Sequence, residues 1–363
     1  MQLDLAELSR YLSERSRTPV HIDAVHQLGG DAIGEAALKQ FGYGNPFLVS
    51  YQVGGRAEQI VFHQIRRNAF GRERAEDRVA AVWLDFHTFN HLPHHAPAVD
   101  MVMQTEEGKI TSIAAAQGLL LVTAFQPGHT YTGDLMRIQK EGSALPLDIE
   151  RVDKLATVLT EIHGMQHDDP LLWRRRLRDL IGHGEGIMGL TDSYPTNEPY
   201  VGEAELLAIE EEANRWRWRL KPMSHRLSRV HGDFHPFNVI FEQGTVIHLL
   251  DRSRGEWGEP ADDVSCMSIN YLFFSLQRSG RLEGAFRELH DRFWDGYLQK
   301  RPDNELPQVI QPWFAWRALV LANPLWYPTI SKDVRRQMLN FARRVMSVES
   351  YDYRQVNQYL EDR

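Results

Sequence analysis

The chain has 363 residues, which is enough for two substantial structural units with their own cores. Its 42% hydrophobic and 25% charged residues are typical of a globular protein and exclude a disordered, collagen-like or disulfide-framework chain. The net charge of −8 argues against a nucleic-acid or anionic-membrane binder. Cys266 is the single cysteine, so no internal disulfide forms, and we expect a cytoplasmic protein.

The first third of the chain has the apolar alternation typical of β-strands. A helical spacing of apolar residues follows the first two strands, over residues 72–86. We therefore predict a small sheet with one helix, in which the strands span residues 47–53, 58–63, 98–104, 109–115 and 119–125.

The segment Gln126-Pro127-Gly128 ends the last predicted strand, since proline and glycine interrupt regular structure. After it the spacing of apolar residues becomes helical. We predict helices over 148–165, 202–220, 282–298 and 312–320. These patterns indicate an α+β fold with a sheet-rich lobe over residues 1–125 and a helical lobe over residues 126–363.

Three further segments are interpreted without a functional role. The arginines of 174–178 indicate the exposed face of a helix. The segment 184–189 has the GxGxxG spacing but follows no strand, so we interpret it as a loop. The histidines at 91, 94 and 95 lack acidic or cysteine partners at metal-ligand spacing and indicate a solvated loop.

The residues that carry chemistry are concentrated between His231 and Asp251. The sequence HGDFHPFN, residues 231–238, precedes two short apolar runs joined by a tight turn, which predicts a hairpin. A hairpin brings its two ends together, so Asn238 and Asp251 are expected side by side. Two oxygen ligands with room for phosphate oxygens suit Mg²⁺. Asp233 would face the same point and accept a hydroxyl proton.

At these residues the chain resembles a known family. The spacing from His231 through Asp233 to Asn238, followed by Asp251, resembles the catalytic and metal-binding segments of protein-kinase-like folds. The form HGDFHPFNVIF looks like the aminoglycoside phosphotransferase and choline-kinase-like family of small-molecule kinases. The later segment GEPADD, residues 258–263, is similar to that family's Gly-Asp-Pro-x-x-Asp motif.

The resemblance implies a two-lobed protein-kinase-like fold, with a small antiparallel-sheet N-lobe containing one helix and a larger, mainly helical C-lobe. It implies that Asp233 is the catalytic base or the carboxylate that orients the acceptor, and that His231 braces the loop backbone. By the same resemblance, Asn238 and Asp251 hold Mg²⁺ and Asp263 supports the catalytic loop.

In the N-lobe, the segment Gly42-Tyr43-Gly44-Asn45 resembles the glycine loop that covers ATP phosphates, although an ordinary strand-entry turn has the same sequence. Glu76, or in second place Glu73, matches the helix carboxylate that orients the phosphate-binding cation. Gln126 and Pro127 match the hinge beside which adenine sits.

One departure concerns that cation, because His63 stands where the family has lysine or arginine. Neutral imidazole is a poor substitute for a permanent cation. Three alternatives follow: His63 is protonated when nucleotide binds, Arg66 or Arg67 takes over the role, or nucleotide binding is weak or altered.

The implied reaction is ATP- and Mg²⁺-dependent transfer of the γ-phosphoryl group to a hydroxyl of a small molecule. An aminoglycoside, a sugar and an amino alcohol all remain open as acceptors. Aromatic walls would suit sugars or quaternary ammonium groups, but most of the nine tryptophans are interpreted as core residues. Two other classes also stay open, namely a degenerate kinase fold with a binding role and nucleotidyl transfer on the same fold.

Overall fold

The computed structural model describes residues 4–28, 44–91, 95–118, 121, 123–196, 198–252 and 254–361. The chain divides into two compact units, Met1–Thr123 and Ala124–Arg363. In the described residues no helix combines the length and apolar character that crossing a membrane requires.

The described residues of the first unit form two α-helices and five strands. In chain order they are α1 (Leu5–Ser16), β1 (Val20–Gln27), β2 (Gly44–Val53), β3 (Arg56–Ile65), α2 (Ala75–Thr88), β4 (Val102–Gln104) and β5 (Ile110–Ser112). Strands β1, β2 and β3 form an antiparallel sheet in that order, and β4 pairs with β5 in a separate antiparallel ladder.

The core of this unit lies between α1 and the three-stranded sheet. Leu8 and Leu12 of α1 are buried against Val49 and Tyr51 of β2. The side chain of Asp4 caps α1 by accepting the backbone N–H of Glu7 at 2.9 Å. The apolar face of α1 therefore covers one face of the sheet.

The second unit is larger and mainly helical. Its helices are α3 (Tyr131–Glu141), α4 (Pro146–His163), α5 (Pro170–Gly182), α6 (Ile187–Asp192), α7 (Glu203–Leu220), α8 (Pro260–Ser279), α9 (Gly284–Lys300), α10 (Leu306–Val309), α11 (Gln311–Ala322) and α12 (Lys332–Met346). Its strands are β6 (His129–Thr130), β7 (Ser228–Arg229), β8 (Val239–Phe241), β9 (Ile247–Leu249) and β10 (Trp257–Gly258). Strands β6, β8 and β9 form one antiparallel sheet, and β7 pairs with β10.

Helix α8 is the centre of the second core. Every residue from Pro260 to Leu276 is buried, so the helix is covered on all sides. Its first turn carries the adjacent carboxylates of Asp262 and Asp263. Because a buried carboxylate requires a cation or hydrogen-bond donors beside it, we expect such groups to be held in contact with this turn.

The predicted fold class, with a small antiparallel sheet first and a mainly helical region after it, is confirmed. Several details were wrong. The described part of the first unit has the α-helix α1 in addition to the predicted one, and both α1 and β1 were missed. The strand predicted over 119–125 is absent at its described residues, 121 and 123–125. Its apolar side chains there are exposed, as Leu121 and Phe125 show, so no sheet contact favours an extended pairing.

Two segments of the second unit also differ from the prediction. The glycine segment 184–189, interpreted as a loop, leads into α6 from residue 187. Gly186 is required there by close packing, since a Cβ on it would lie 2.4 Å from the carbonyl oxygen of Asp179. The arginine run lies on α5 as expected, but Arg176 is buried instead of exposed.

Candidate active site

The backbone of the loop at His231 is fastened to the first turn of α8. The carboxylate of Asp263 accepts the backbone N–H groups of His231 and Gly232, both at 2.7 Å, and lies 3.0 Å from His163 Nε2. Burial would raise the pKa of Asp263, but the hydrogen bond from His163 and the charge of that ring lower it. Asp263 is therefore an ionised carboxylate that holds the backbone of the loop, and its support of catalysis stays a prediction.

The side chain of His231 is turned into the protein. Its Nδ1 atom accepts the backbone N–H of Asp233 at 3.3 Å, and its ring meets Phe234 edge to face. The residue is buried. These contacts place His231 as a support of the loop, and its participation in catalysis stays a prediction.

The carboxylate of Asp233 is held by two arginines that the sequence did not point to. Its Oδ1 atom lies 2.7 Å from Nη1 of Arg317 and 2.7 Å from Nη1 of Arg254. Its Oδ2 atom lies 3.6 Å from Nε2 of His235. Oδ1 is thus occupied by guanidinium groups, while Oδ2 is the oxygen available to a hydroxyl donor.

These contacts determine the charge of Asp233. Burial alone would raise its pKa, but the charges of Arg317, Arg254 and His235 outweigh burial and lower the pKa to about 2. A carboxyl group with this pKa is ionised at neutral pH and is a weak proton acceptor. Which of the two roles implied by the resemblance Asp233 has, orientation of an acceptor hydroxyl or abstraction of its proton, stays a prediction.

Arg317 connects Asp233 to α8. Its Nη2 atom donates to the carbonyl of Gly232 at 3.1 Å and to Oδ1 of Asp262 at 2.6 Å. Arg176 of α5 donates to the other oxygen of Asp262 at 3.2 Å. Burial raises the pKa of Asp262, and the two arginines oppose that rise. One buried network therefore joins α5, α8 and α11 to the side chain of Asp233.

The hairpin of β8 and β9 brings Asn238 next to the end of β9. Val239 pairs with Leu249, and the backbone N–H of Leu250 donates to the carbonyl of Asn238 at 2.9 Å. Asp251 follows directly, is exposed, and has a φ of 53°, a left-handed conformation that aspartate tolerates better than most residues. The hairpin geometry thus carries both predicted metal ligands to one end of the pair of strands.

The chemistry of these two residues fits Mg²⁺. Asn238 Nδ2 donates to the carbonyl of Asp233 at 3.1 Å, which leaves its Oδ1 atom as the coordinating end of the amide. Together with the Asp251 carboxylate this is a hard oxygen donor set. The described residues contain no group of three or more His, Cys, Asp or Glu side chains placed to hold a metal. Two protein ligands completed by water and phosphate are what Mg²⁺ commonly uses.

The first unit holds most of the predicted nucleotide-contacting residues, all except Gln126 and Pro127. Gly42 lies outside the described residues, and Gly44 and Asn45 begin β2. On β3, Ile60 and Phe62 pack against the core, so Val61 and His63 project from the opposite face, where His63 is exposed. His63 is therefore accessible, but the structure gives it no charged partner among the described residues.

The alternative cations lie just beyond β3. Arg66 is exposed, and Arg67 donates from Nε to the carbonyl of Glu73 at 3.0 Å. Glu76 is exposed at the start of α2, 3.9 Å from Arg74. Arg66 and Arg67 line a cavity of about 480 Å³ together with Arg78, which the sequence did not indicate. The other lining residues are Gln27, Phe47, Gln64 and Ile65.

Gln126 and Pro127 lie in the irregular segment that leads into β6. Gln126 Nε2 is 3.5 Å from the carbonyl of Ala124. Gly128, which follows, has a φ of 122°, and a Cβ on it would lie 2.4 Å from the carbonyl oxygen of Phe241. Only glycine fits this approach to β8. The adenine-hinge role of Gln126 and Pro127 stays a prediction.

Comparison with protein families decides the class of the chain. The model of the family described as "Phosphotransferase enzyme family" matches residues 104–303, more than half of the chain and the whole segment from Asp233 to Asp263. The chain belongs to this family. The suspected relationship is thereby confirmed, and no curated protein sequence matches the phosphotransferase.

Solved structures give more distant likenesses. A glucosamine kinase is 16% identical with a TM-score of 0.41, covering 93% of this chain and 97% of that one. The choline kinase LicA from Streptococcus pneumoniae is 13% identical with a TM-score of 0.36, covering 93% and 97%. An ethanolamine kinase from Plasmodium vivax is 10% identical with a TM-score of 0.35, covering 94% and 82%. We infer nothing about the phosphotransferase's substrate from likenesses of this degree.

Proposed function

We propose that this phosphotransferase moves the γ-phosphoryl group of ATP to a hydroxyl of a small molecule, with Mg²⁺ as cofactor. The observation that carries the proposal is the state of Asp233: an ionised carboxylate with one oxygen occupied by Arg254 and Arg317 and the other available. It lies on the same loop as Asn238, whose amide oxygen is left for a metal.

In this proposal Oδ2 of Asp233 accepts a hydrogen bond from the acceptor hydroxyl and points the hydroxyl oxygen at the γ-phosphoryl group. The new oxygen–phosphorus bond forms as the bond from the γ-phosphorus to ADP breaks, ADP leaves, and the hydroxyl proton passes to solvent after the transfer. Arg254 and Arg317 keep the carboxylate ionised and fix its rotation, so the hydroxyl is oriented without first deprotonating it. Asp263 holds the backbone of the loop in place through two N–H groups. A Mg²⁺ ion held by Asn238 and Asp251 would supply charge neutralisation at the phosphate oxygens.

The two units take different parts in the proposal. The first unit binds the nucleotide, through the segment at Gly42 to Asn45 and a cation drawn from His63, Arg66 and Arg67. The second unit, which includes Gln126 and Pro127 near its start, supplies the catalytic loop and the acceptor pocket. The single cysteine and the lack of a membrane-crossing helix in the described residues are compatible with our placing the reaction in the cytoplasm.

The test is a panel of hydroxyl compounds incubated with the full chain, ATP and Mg²⁺ and read by mass spectrometry. Gain of a phosphoryl group supports the proposal. Gain of a nucleotidyl group would show the alternative chemistry on this fold. ATP left intact with every compound would favour a binding role and contradict the proposal.

The Asp233→Asn variant sharpens this test, because an amide keeps the shape of the carboxylate but loses its charge. We expect turnover to fall by about 10²- to 10⁴-fold, with ATP affinity nearly unchanged. Asp153→Asn is the matched control, since Asp153 forms an exposed ion pair with Arg292 at 2.6 Å. Equal turnover in the two variants would contradict the role of Asp233.

A further inference from the structure

Arg254 is held firmly although its side chain reaches the surface. Its Nη1 atom contacts Oδ1 of Asp233 at 2.7 Å and donates to the carbonyl of Gly232 at 3.2 Å. Its own carbonyl accepts a hydrogen bond from Arg176 at 2.6 Å, and its guanidinium carbon lies 5.0 Å from the ring centre of Trp316. The side chain is 20% exposed. Arg254 is thus a preorganised cation that solvent reaches beside Asp233.

The remaining partner of Arg254 is held much less firmly. Nη2 of Arg254 lies 3.3 Å from Oε2 of Glu185, and the side chain of Glu185 is 58% exposed. The backbone of Glu185 is fixed, since its carbonyl accepts Nε1–H of Trp316 at 2.7 Å and its N–H donates to His183 at 3.2 Å. An exposed ion pair of this kind contributes about 0–1 kcal/mol. The carboxylate of Glu185 is therefore readily displaced from Arg254, while the backbone of Glu185 stays in place.

A further donor on the same edge of the guanidinium lacks a partner. Nε of Arg254 is buried and makes no hydrogen bond within the described part of the chain. Nε and Nη2 together form the edge of an arginine that binds a carboxylate or phosphate through two parallel hydrogen bonds. Glu185 uses one of these donors, so a better-placed anion would gain a second charge-assisted hydrogen bond.

The two buried carboxylates near this point are already neutralised. Asp233 contacts Arg254 and Arg317, and Asp262 contacts Arg317 and Arg176. An acceptor with an ammonium group beside its hydroxyl would have to compete with these buried arginines for a carboxylate. The charge arrangement consequently disfavours a cationic acceptor such as an aminoglycoside or an amino alcohol.

We propose that Arg254 binds an acidic group of the acceptor in the place that Glu185 occupies, so that the acceptor is a small hydroxy acid. The proposal rests on the proposed function. Because Asp233 and Glu185 contact the two ends of one guanidinium, the hydroxyl and the acidic group of the acceptor are separated by only a few bonds. Glu185 acts as an internal substitute that fills the subsite when the acceptor is absent.

Three acceptors that share a glycerol skeleton test the charge preference: glycerate, glycerol and 3-aminopropane-1,2-diol. With ATP and Mg²⁺, we expect glycerate to be phosphorylated with a KM at least about tenfold below that of the neutral and cationic compounds, as one charge-assisted hydrogen bond predicts. Turnover of the cationic compound with refusal of glycerate would overturn the proposal.

Variants then identify the group that binds the acid. Glu185→Gln should lower the KM for glycerate several-fold, because the competing carboxylate is removed, whereas Arg254→Gln should raise that KM about 10- to 100-fold. Glu212→Gln is the matched control, because Glu212 is a half-buried glutamate of α7 paired with the exposed Arg215 at 2.7 Å, and this variant should leave the KM for glycerate unchanged. A rise in the KM for ATP instead of glycerate in Arg254→Gln would assign the arginine to the nucleotide and overturn the proposal.

Binding without turnover separates this inference from the proposed function. Malonate has two carboxylates and no hydroxyl, so its binding to the full chain, measured by titration calorimetry, does not depend on phosphoryl transfer. We expect malonate to bind the wild type and to bind Glu185→Gln more tightly. Arg254→Gln should show no malonate binding. If no compound of the glycerol series is phosphorylated and malonate still follows this order, the acid subsite stands and the reaction does not. Equal malonate binding by all three proteins would overturn the subsite.

Discussion

Replacing Arg317 with methionine tests whether the buried charge network is what holds Asp233. The substitution removes two charge-assisted hydrogen bonds, to Asp233 at 2.7 Å and Asp262 at 2.6 Å, and a third bond to the carbonyl of Gly232 at 3.1 Å. Methionine fills much of the volume, so the main effect is two carboxylates left with fewer partners. Breaking a buried ion pair from one side costs about 3–5 kcal/mol, and we expect the free energy of unfolding to fall by about that amount.

A matched control distinguishes the loss of the buried network from the general effect on stability of losing an arginine. Urea unfolding followed by tryptophan fluorescence reports on the second unit, because eight of the nine tryptophans lie there. Arg292→Met, at the exposed pair with Asp153, should change the free energy of unfolding by no more than about 0.5 kcal/mol.

A second substitution makes the reasoning refutable. Asp262→Asn removes one of the carboxylates that Arg317 neutralises, so the double variant Arg317→Met/Asp262→Asn should be less destabilised than the sum of the single variants by at least about 1 kcal/mol. Strict additivity, or a loss in Arg317→Met equal to that in Arg292→Met, would show that the network does not hold Asp233.

Three other outcomes are expected. Asp251→Asn keeps a residue that tolerates the left-handed backbone but weakens metal binding. The Mg²⁺ concentration for half-maximal activity should therefore rise at least about tenfold, while the free energy of unfolding stays the same. An unchanged Mg²⁺ requirement would contradict the metal assignment. Arg66→Ala should raise the KM for ATP several-fold more than His63→Ala if the permanent cation binds phosphate, and the reverse order would select His63. The pKa of Asp303 is lowered to about 2, because hydrogen bonds from Arg226 and Arg301 outweigh burial. The stabilisation by this carboxylate is present above its unfolded pKa of 3.8 and is lost as pH falls towards 2, so the urea midpoint of Asp303→Asn should depend less steeply on pH below about 5 than that of the wild type. Parallel pH profiles of the two proteins would refute this.

The catalytic segment could be predicted because its residues are close in sequence. The hairpin that joins Asn238 to Asp251 is a local structure, and its strands and turn are visible in the apolar pattern. Asp263 lies only 32 residues from His231, within the same recognisable segment. Local spacing therefore supported the family resemblance, which is confirmed, and the choice of the principal site residues, which stays a prediction.

The arginines of the site could not be predicted in the same way. Arg317 meets Asp233 across 84 residues, and Arg176 meets Asp262 across 86, so no local pattern links them. One signal was present: Arg317 is a lone charge in the apolar helix QPWFAWRALVLA, where an unpaired guanidinium would be costly. Because of that cost, Arg317 is expected to have an acidic partner, but the partner can be identified only from the three-dimensional structure.

The missed elements of the first unit have a different cause. Helix α1 has Asp4 as its cap and Leu5, Leu8 and Leu12 at helical spacing, so its signal was available in the sequence. The strand predicted over 119–125 is absent at its described residues for a different reason, since β-propensity produces a strand only when a neighbouring strand or core contacts the side chains.

The neighbouring aspartates at the start of α8 restrict which changes in chain length the protein tolerates. Asp262 reaches Arg317 and Asp263 reaches the loop backbone, in directions about 100° apart, as successive residues of a helix are. Inserting or deleting one residue between Asp251 and Asp262 would either rotate α8 or displace β10, so that a wrong side chain meets each target. Substitutions at exposed positions of this segment leave that register intact. The spacing between the hairpin and α8 is therefore expected to be fixed in length while the side chain of the exposed Glu256 is free to vary; Arg252 is held by its hydrogen bonds to the carbonyl of Val230.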